Sequence, residues 1–87
     1  MDDHYSLKPS QIVMYTSEAC GDCLKVKAFF EANHISFLQI GIEGDELAMD
    51  FVSKINRGYY SVPTIIFPDG SILTEPTWKE LRKKIPS

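Results

Sequence analysis

The sequence predicts one small α/β domain with the element order βαβαββα, and three observations carry that prediction. Short apolar runs alternate with stretches whose apolar residues recur every three to four positions, the mark of strands joined through helices. Pro68-Asp69-Gly70-Ser71 supplies a tight turn between two late strands. Thr77-Trp78-Lys79-Glu80 has the spacing of a capping box and opens a last short helix.

In chain order, residues 1–10 read as an N-terminal arm ending at Pro9-Ser10, so that the folded domain spans residues 11–87. Ile12 to Tyr15 lacks polar alternation, which predicts a strand buried on both faces. From Gly21 the spacing becomes helical: Leu24, Ala28 and Ala32 form one ridge, with Val26, Phe29, Phe30 and Asn33 on adjoining ones. Lys25, Lys27 and Glu31 then face water, and Asn33-His34 ends the helix, with His34 a turn residue rather than a catalytic base. Residues 37–42 form a second strand, joined to the first through a helix and therefore parallel to it. Glu43-Gly44-Asp45-Glu46 opens a second helix whose Leu47, Ala48, Phe51, Val52 and Ile55 read as core and whose stop is Gly58. Residues 62–67 and 71–74 make a hairpin, in which the Asp69-Gly70 pair provides positive φ angles.

A net charge of -3 with a pI near 5.2, and nine basic residues in no long run, disfavour nucleic acid as a partner. No segment approaches the ~20 apolar residues of a membrane span, and the acidic start Met1-Asp2-Asp3-His4 leads into no signal-peptide core. The expectation is a cytoplasmic protein, monomeric and without internal repeats.

The two cysteines of the chain form Cys20-Gly21-Asp22-Cys23, after a strand and at a helix start. Free N–H groups and the positive end of the helix dipole gather there and stabilise a thiolate, the form that attacks disulfides. Structural zinc needs further ligands, and His4 and His34 are far apart without finger spacing. A structural disulfide closing so short a loop would constrain the unfolded chain little. Dithiol redox chemistry is the favoured reading. Asp22 repels a thiolate at Cys20, a modest effect in solvent that Lys25 and Lys27 partly offset, and it also suits the dipole of the helix start. Arg57 reads either as a contact for a carboxylate or sugar hydroxyl of a small thiol or as a solvated helix-end cation. The N–H groups of Trp78 and Lys79 read as an anion contact or as ordinary helix-start donors; Tyr15, Tyr59 and Tyr60 as groove lining or packing; Glu18 as an exposed charge.

Two motifs in this order, Tyr15-Thr16-Ser17-Glu18-Ala19-Cys20-Gly21-Asp22-Cys23 and Ser61-Val62-Pro63-Thr64, resemble the glutaredoxin family over about residues 11–85. The resemblance implies a thioredoxin-like fold, a four-stranded mixed sheet with three helices. Asn56-Arg57-Gly58, Phe67, Asp69-Gly70-Ser71 and Leu73-Thr74-Glu75-Pro76 are similar to the mycoredoxin-like glutaredoxins of actinobacterial type. The chain departs from common glutaredoxins in three ways. Gly21-Asp22 replaces Pro-Tyr or Gly-Tyr, Ser17 stands where many glutathione-using members have lysine, and a Gly-Gly-x-Asp segment before the last helix is missing.

By resemblance Cys20 is the nucleophile and Cys23 resolves, the two forming a redox-active disulfide. Family thiolates have pKa values of roughly 3.5 to 7.5 against about 8.5 for free cysteine. Pro63 corresponds to a cis-proline that holds the Val62 backbone for an extended thiol peptide, and the substrate-binding set is Tyr15, Arg57, Val62, Pro63, Thr77 and Trp78. The implied activity is thiol–disulfide exchange on disulfide-containing or thiolated proteins. No cofactor is tightly bound, and glutathione, mycothiol or a similar low-molecular-weight thiol is co-substrate. The alternatives are a redoxin reduced directly by a thioredoxin-reductase-type flavoprotein, and a dimeric iron-sulfur carrier using Cys20 and external thiols.

Overall fold

A computed structural model describes residues 3–85; Met1-Asp2 of the acidic start and the last two positions of the predicted domain lie outside the described residues. The elements run β1 (Ile12–Thr16), α1 (Gly21–Ala32), β2 (Phe37–Gly41), α2 (Glu46–Ile55), β3 (Thr64–Ile66), β4 (Ile72–Thr74) and α3 (Trp78–Lys84). They form one sheet in the order β2-β1-β3-β4. β1 is parallel to β2, with Thr16 opposite Gly41, and antiparallel to β3, with Tyr15 opposite Thr64; β3 and β4 are antiparallel. This is the four-stranded mixed sheet with three helices of a thioredoxin-like fold.

Alternation along β1 divides the core between the two sheet faces. Val13 and Tyr15 pack with Ile40, Ala48, Val52 and Ile66 on the α2 side. Met14 packs with Val26, Phe30, Ile65, Phe67 and Leu81 on the α1 and α3 side. Both faces of β1 are therefore covered, which is why its sequence carries no polar alternation.

The helix faces differ from the predicted ones in detail. α1 buries Cys23, Val26 and Phe30, a stripe at i, i+3 and i+7, which leaves Leu24 67% exposed and Ala28 and Ala32 in water. The second cysteine occupies a core position that the apolar pattern assigned to leucine. Leu47 is likewise exposed, because α2 turns Ala48 and Val52 inward. His34, not Asn33, takes the left-handed conformation after α1, while the Asn33 amide donates to the Phe29 carbonyl at 2.8 Å.

β3 is shorter than predicted. Pro63 has no N–H for the ladder, and Phe67 enters the turn. In that turn only Gly70 has positive φ: Gly70 N–H meets the Phe67 carbonyl at 2.9 Å and Phe67 N–H meets that of Ser71 at 2.9 Å. The hairpin thus has a three-residue loop rather than a two-residue Asp-Gly one. Asp69 accepts from the Ser71 hydroxyl at 2.6 Å and N–H at 2.9 Å, and pairs with Lys84, whose ammonium also lies 5.0 Å from the Phe67 ring centre.

The N-terminal arm is packed onto the domain. The Asp3 carboxylate accepts from the Ser10 N–H at 2.6 Å, the Ser10 hydroxyl at 2.7 Å and the Gln11 amide at 3.2 Å. Tyr5 donates its N–H to the Tyr15 hydroxyl at 2.9 Å and its own hydroxyl to Asp45, which caps α2. Hydrogen bonds of this kind are made only once the chain has folded, so the Pro9-Ser10 turn signal shows where the arm ends but not what it packs against.

Candidate active site

Cys20 is the N-cap residue of α1, with extended backbone (φ -96°, ψ 103°), and its Sγ accepts the Cys23 N–H at 3.0 Å. The two cysteines are joined as a disulfide, with Cα atoms 5.2 Å apart. Cys20 is partly exposed, whereas Cys23 is 4% exposed within the inward stripe of α1. Solvent therefore reaches the first sulfur and not the second. An N–H aimed at sulfur from a helix start stabilises negative charge there more than it stabilises a neutral thiol.

The loop that delivers Cys20 is anchored by a residue whose sequence context suggested only a helix-opening acid. Glu43 accepts from the Ser17 hydroxyl at 2.7 Å and the Glu18 N–H at 2.8 Å. Those two bonds, the hydroxyl first, hold its carboxyl below the usual carboxylate range. The signal lay in the topology: parallel neighbours end side by side, and Ile42 N–H meets the Thr16 carbonyl at 2.9 Å, which brings position 43 to the segment after β1.

The opposite wall is the Val62-Pro63 segment. Its peptide bond is cis, in agreement with the family resemblance, and the Val62 carbonyl oxygen lies 3.7 Å from Cys20 Sγ. The Pro63 carbonyl accepts the Glu75 N–H at 2.8 Å, with Glu75 in a left-handed conformation ahead of Pro76.

Between α1 and α3 lies a cavity of about 280 Å³, bounded by Asp22 and Lys25 on one side and by Pro76, Thr77 and Trp78 on the other. Trp78 is 45% exposed, and its ring centre lies 5.8 Å from that of Phe29. Thr77 completes the predicted capping box, its hydroxyl accepting the Glu80 N–H at 3.2 Å while the Glu80 carboxylate accepts the Thr77 N–H at 2.9 Å. The hydroxyl is thus engaged in opening α3, while the residue itself borders the cavity.

Tyr15, assigned to the substrate-binding set, lies in the core instead. It is 0% exposed, packed 5.4 Å from Phe51 with its hydroxyl bonded to Tyr5, because its place in β1 turns it into the α2-side core. Arg57 is exposed, in a left-handed conformation just after α2, and Tyr59 and Tyr60 follow it exposed on the way to Val62. Among the described residues no group of three or more His, Cys, Asp or Glu is arranged to hold a metal ion, and no helix is long and apolar enough to cross a membrane.

A thioredoxin-like sheet with a cysteine pair at the start of its first helix defines a thiol–disulfide oxidoreductase. The chain belongs to the glutaredoxin family: the family model described as Glutaredoxin matches residues 12–72. A Mycobacterium tuberculosis (strain CDC 1551 / Oshkosh) protein named "Putative glutaredoxin MT3292" is 39% identical over 74 residues, covering 85% of this chain and 88% of its own. The crystal structure of the glutaredoxin grx-1 from Archaeoglobus fulgidus superposes with a TM-score of 0.76 at 22% identity, over 100% of this chain and 98% of that one. A buckwheat glutaredoxin–glutathione complex superposes with a TM-score of 0.63 at 17% identity, over 78% of this chain and 63% of that one.

Proposed function

We propose that Cys20 initiates and Cys23 completes the exchange, on protein disulfides and on proteins carrying a low-molecular-weight thiol. The Cys20 thiolate attacks one sulfur of the substrate disulfide. A Cys20–substrate disulfide forms as the substrate S–S bond breaks, and the departing thiolate takes a proton from solvent. Cys23, deprotonated, then attacks Cys20 Sγ, releasing the reduced substrate, so that two electrons pass from the cysteine pair to the substrate. An external thiol or a reductase restores the dithiol. The observation that carries this order is the asymmetry of the pair: a partly exposed N-cap sulfur receives an N–H bond, and its partner is buried. The Val62 main chain, beside the attacking sulfur, is the edge to which an extended substrate adds in the manner of a strand. A single domain suffices for this chemistry, and a reducing compartment such as the cytoplasm suits it.

Mixed disulfides of glutathione are poor substrates in this reading. Ser17 offers no cation, and its hydroxyl is tied to the Glu43 carboxylate, which adds negative charge beside the loop. The glutathione bound in the buckwheat homologue carries carboxylates that such a site repels. Losing one charge-assisted contact, worth roughly 1.5 to 3 kcal/mol, costs about tenfold or more in affinity. A neutral, sugar-containing thiol such as mycothiol, with Arg57 as a hydroxyl contact, or direct reduction by a flavoprotein reductase then supplies the electrons. The test compares mixed disulfides of glutathione, mycothiol and bacillithiol, each with its recycling system, alongside a thioredoxin-reductase-type flavoprotein. Glutathione is expected at least tenfold behind the best donor, and Arg57→Ala is expected to raise KM for a sugar thiol with little change in kcat. Turnover with glutathione equal to that of an ordinary glutaredoxin overturns the preference and leaves the redox assignment standing.

A further inference from the structure

Behind the Val62-Pro63 wall, three polar side chains form a hydrogen-bond relay with a fixed direction. The Asn56 amide nitrogen donates to the Val52 carbonyl at 2.9 Å and to the Thr64 hydroxyl at 3.0 Å. The Thr64 hydroxyl donates its single proton to the Ser61 carbonyl at 2.7 Å, and the Thr74 hydroxyl donates to the Asn56 amide oxygen at 2.8 Å. Thr64 is fully buried, so its hydroxyl depends on Asn56 and Ser61 for its partners, while Asn56 and Thr74 are half-buried. Because the Thr64 proton is spent on Ser61, its oxygen needs a donor, and because Thr74 supplies a proton, position 56 must also accept. An amide in one orientation meets both demands, and a carboxylate meets only the second.

Ser61 and Thr64 flank Val62-Pro63, and the Glu75 N–H holds the Pro63 carbonyl from the other side at 2.8 Å. The relay therefore fixes the main chain whose Val62 carbonyl lies 3.7 Å from Cys20 Sγ, although Asn56 sits at the end of α2 and does not touch either sulfur.

We propose that Asn56 and Thr64 are positioning residues for disulfide exchange, holding the Val62 main chain in register with Cys20 so that an extended substrate seats by backbone pairing. This rests on the reading of Val62 as the pairing edge. Its consequence is selective: substrates with a peptide backbone need the relay, and small disulfides do not.

The experiment measures dithiothreitol-driven reduction of two substrates, a hexapeptide bearing a mixed disulfide with 2-mercaptoethanol, and 2-hydroxyethyl disulfide. Asn56→Asp removes the donor while keeping size, Thr64→Val removes the hydroxyl while keeping shape, and Thr64→Ser retains the hydroxyl. Thermal melts establish that each variant is folded. Asn56→Asp and Thr64→Val are expected to raise KM for the peptide about tenfold, the cost of a lost buried hydrogen bond, with kcat within twofold. Turnover of 2-hydroxyethyl disulfide is expected to move less than twofold, and Thr64→Ser to keep the wild-type KM for the peptide. An unchanged peptide KM in both variants overturns the proposal, and so does an equal loss on both substrates, which marks support of the fold alone. A wild-type protein that handles the peptide no better than the small disulfide overturns the pairing reading itself, and that failure is visible without any variant.

Discussion

One sulfur atom at Cys20 both ends a loop and caps a helix, and the proposed chemistry rests on that double use. Cys20→Ser is expected to abolish turnover, since a hydroxyl is not ionised at neutral pH. Cys23→Ser should keep activity on small-thiol adducts, lose dithiol reduction of protein disulfides and accumulate a mixed disulfide at Cys20, detectable by mass spectrometry. Faster alkylation of Cys23 than of Cys20 by limiting iodoacetamide would reverse the roles. Asp22, exposed in the first turn of α1, places negative charge between the two cysteines in sequence, where it would oppose a thiolate at Cys20 in the reduced protein. Asp22→Asn should raise the thiolate fraction of Cys20 at a given pH, read from ultraviolet absorbance across a titration; a lowered fraction contradicts the repulsion argument. The cysteine pair was legible from sequence because its spacing and placement are rare and their chemistry is local. Glu43 and Asn56 were not, since their partners Ser17, Thr64 and Thr74 come from other elements and meet them only in the folded chain.

At the scale of elements, periodicity identified the helices and strands but not always which stripe would be inward. Apolar residues lie on several sides of α1, and the decision against Leu24 is made by the packing of Cys23, Val26 and Phe30 onto the sheet. The hairpin and the capping box were legible because Gly70, Thr77 and Glu80 act on backbone only a few residues away. Thr77→Ala should cost about 1 kcal/mol of stability by the usual worth of an N-cap, measured as a lower urea midpoint at unchanged slope. A free energy equal to wild type would show that the start of α3 is held by other contacts.

For the whole molecule, three carboxyl groups join segments that are apart in sequence or at its start, and each is held below its ordinary range. Asp69 is lowered chiefly by its bond to Lys84, then by Ser71; Asp3 by the Ser10 backbone and then its hydroxyl; Glu43 by Ser17 and then Glu18. Where a folded carboxyl is more acidic than the same group unfolded, the unfolded chain binds more protons as pH falls. Stability is thus full above the unfolded values near 4 and is lost progressively below them. Urea midpoints should fall between pH 5 and pH 3, with a shallower fall in Asp69→Asn; a rise toward acid would contradict the sign. The N-terminal arm belongs in the same account, because its polar residues are fastened to Ser10, Tyr15 and Asp45 rather than left in water.

The N–H bond from Cys23 to Cys20 also ties folding to electron transfer through a closed thermodynamic cycle. Reduce then unfold, or unfold then reduce, and the total is the same. Whatever amount the helix start favours an anionic sulfur over a disulfide sulfur must reappear as a difference between the melting free energies of the two redox states. For a two-electron couple 30 mV corresponds to about 1.4 kcal/mol. A pair of unfolding curves, one with dithiothreitol and one without, therefore weighs the appetite of this protein for electrons relative to that of its own unfolded chain, with no electrode and no knowledge of its partner.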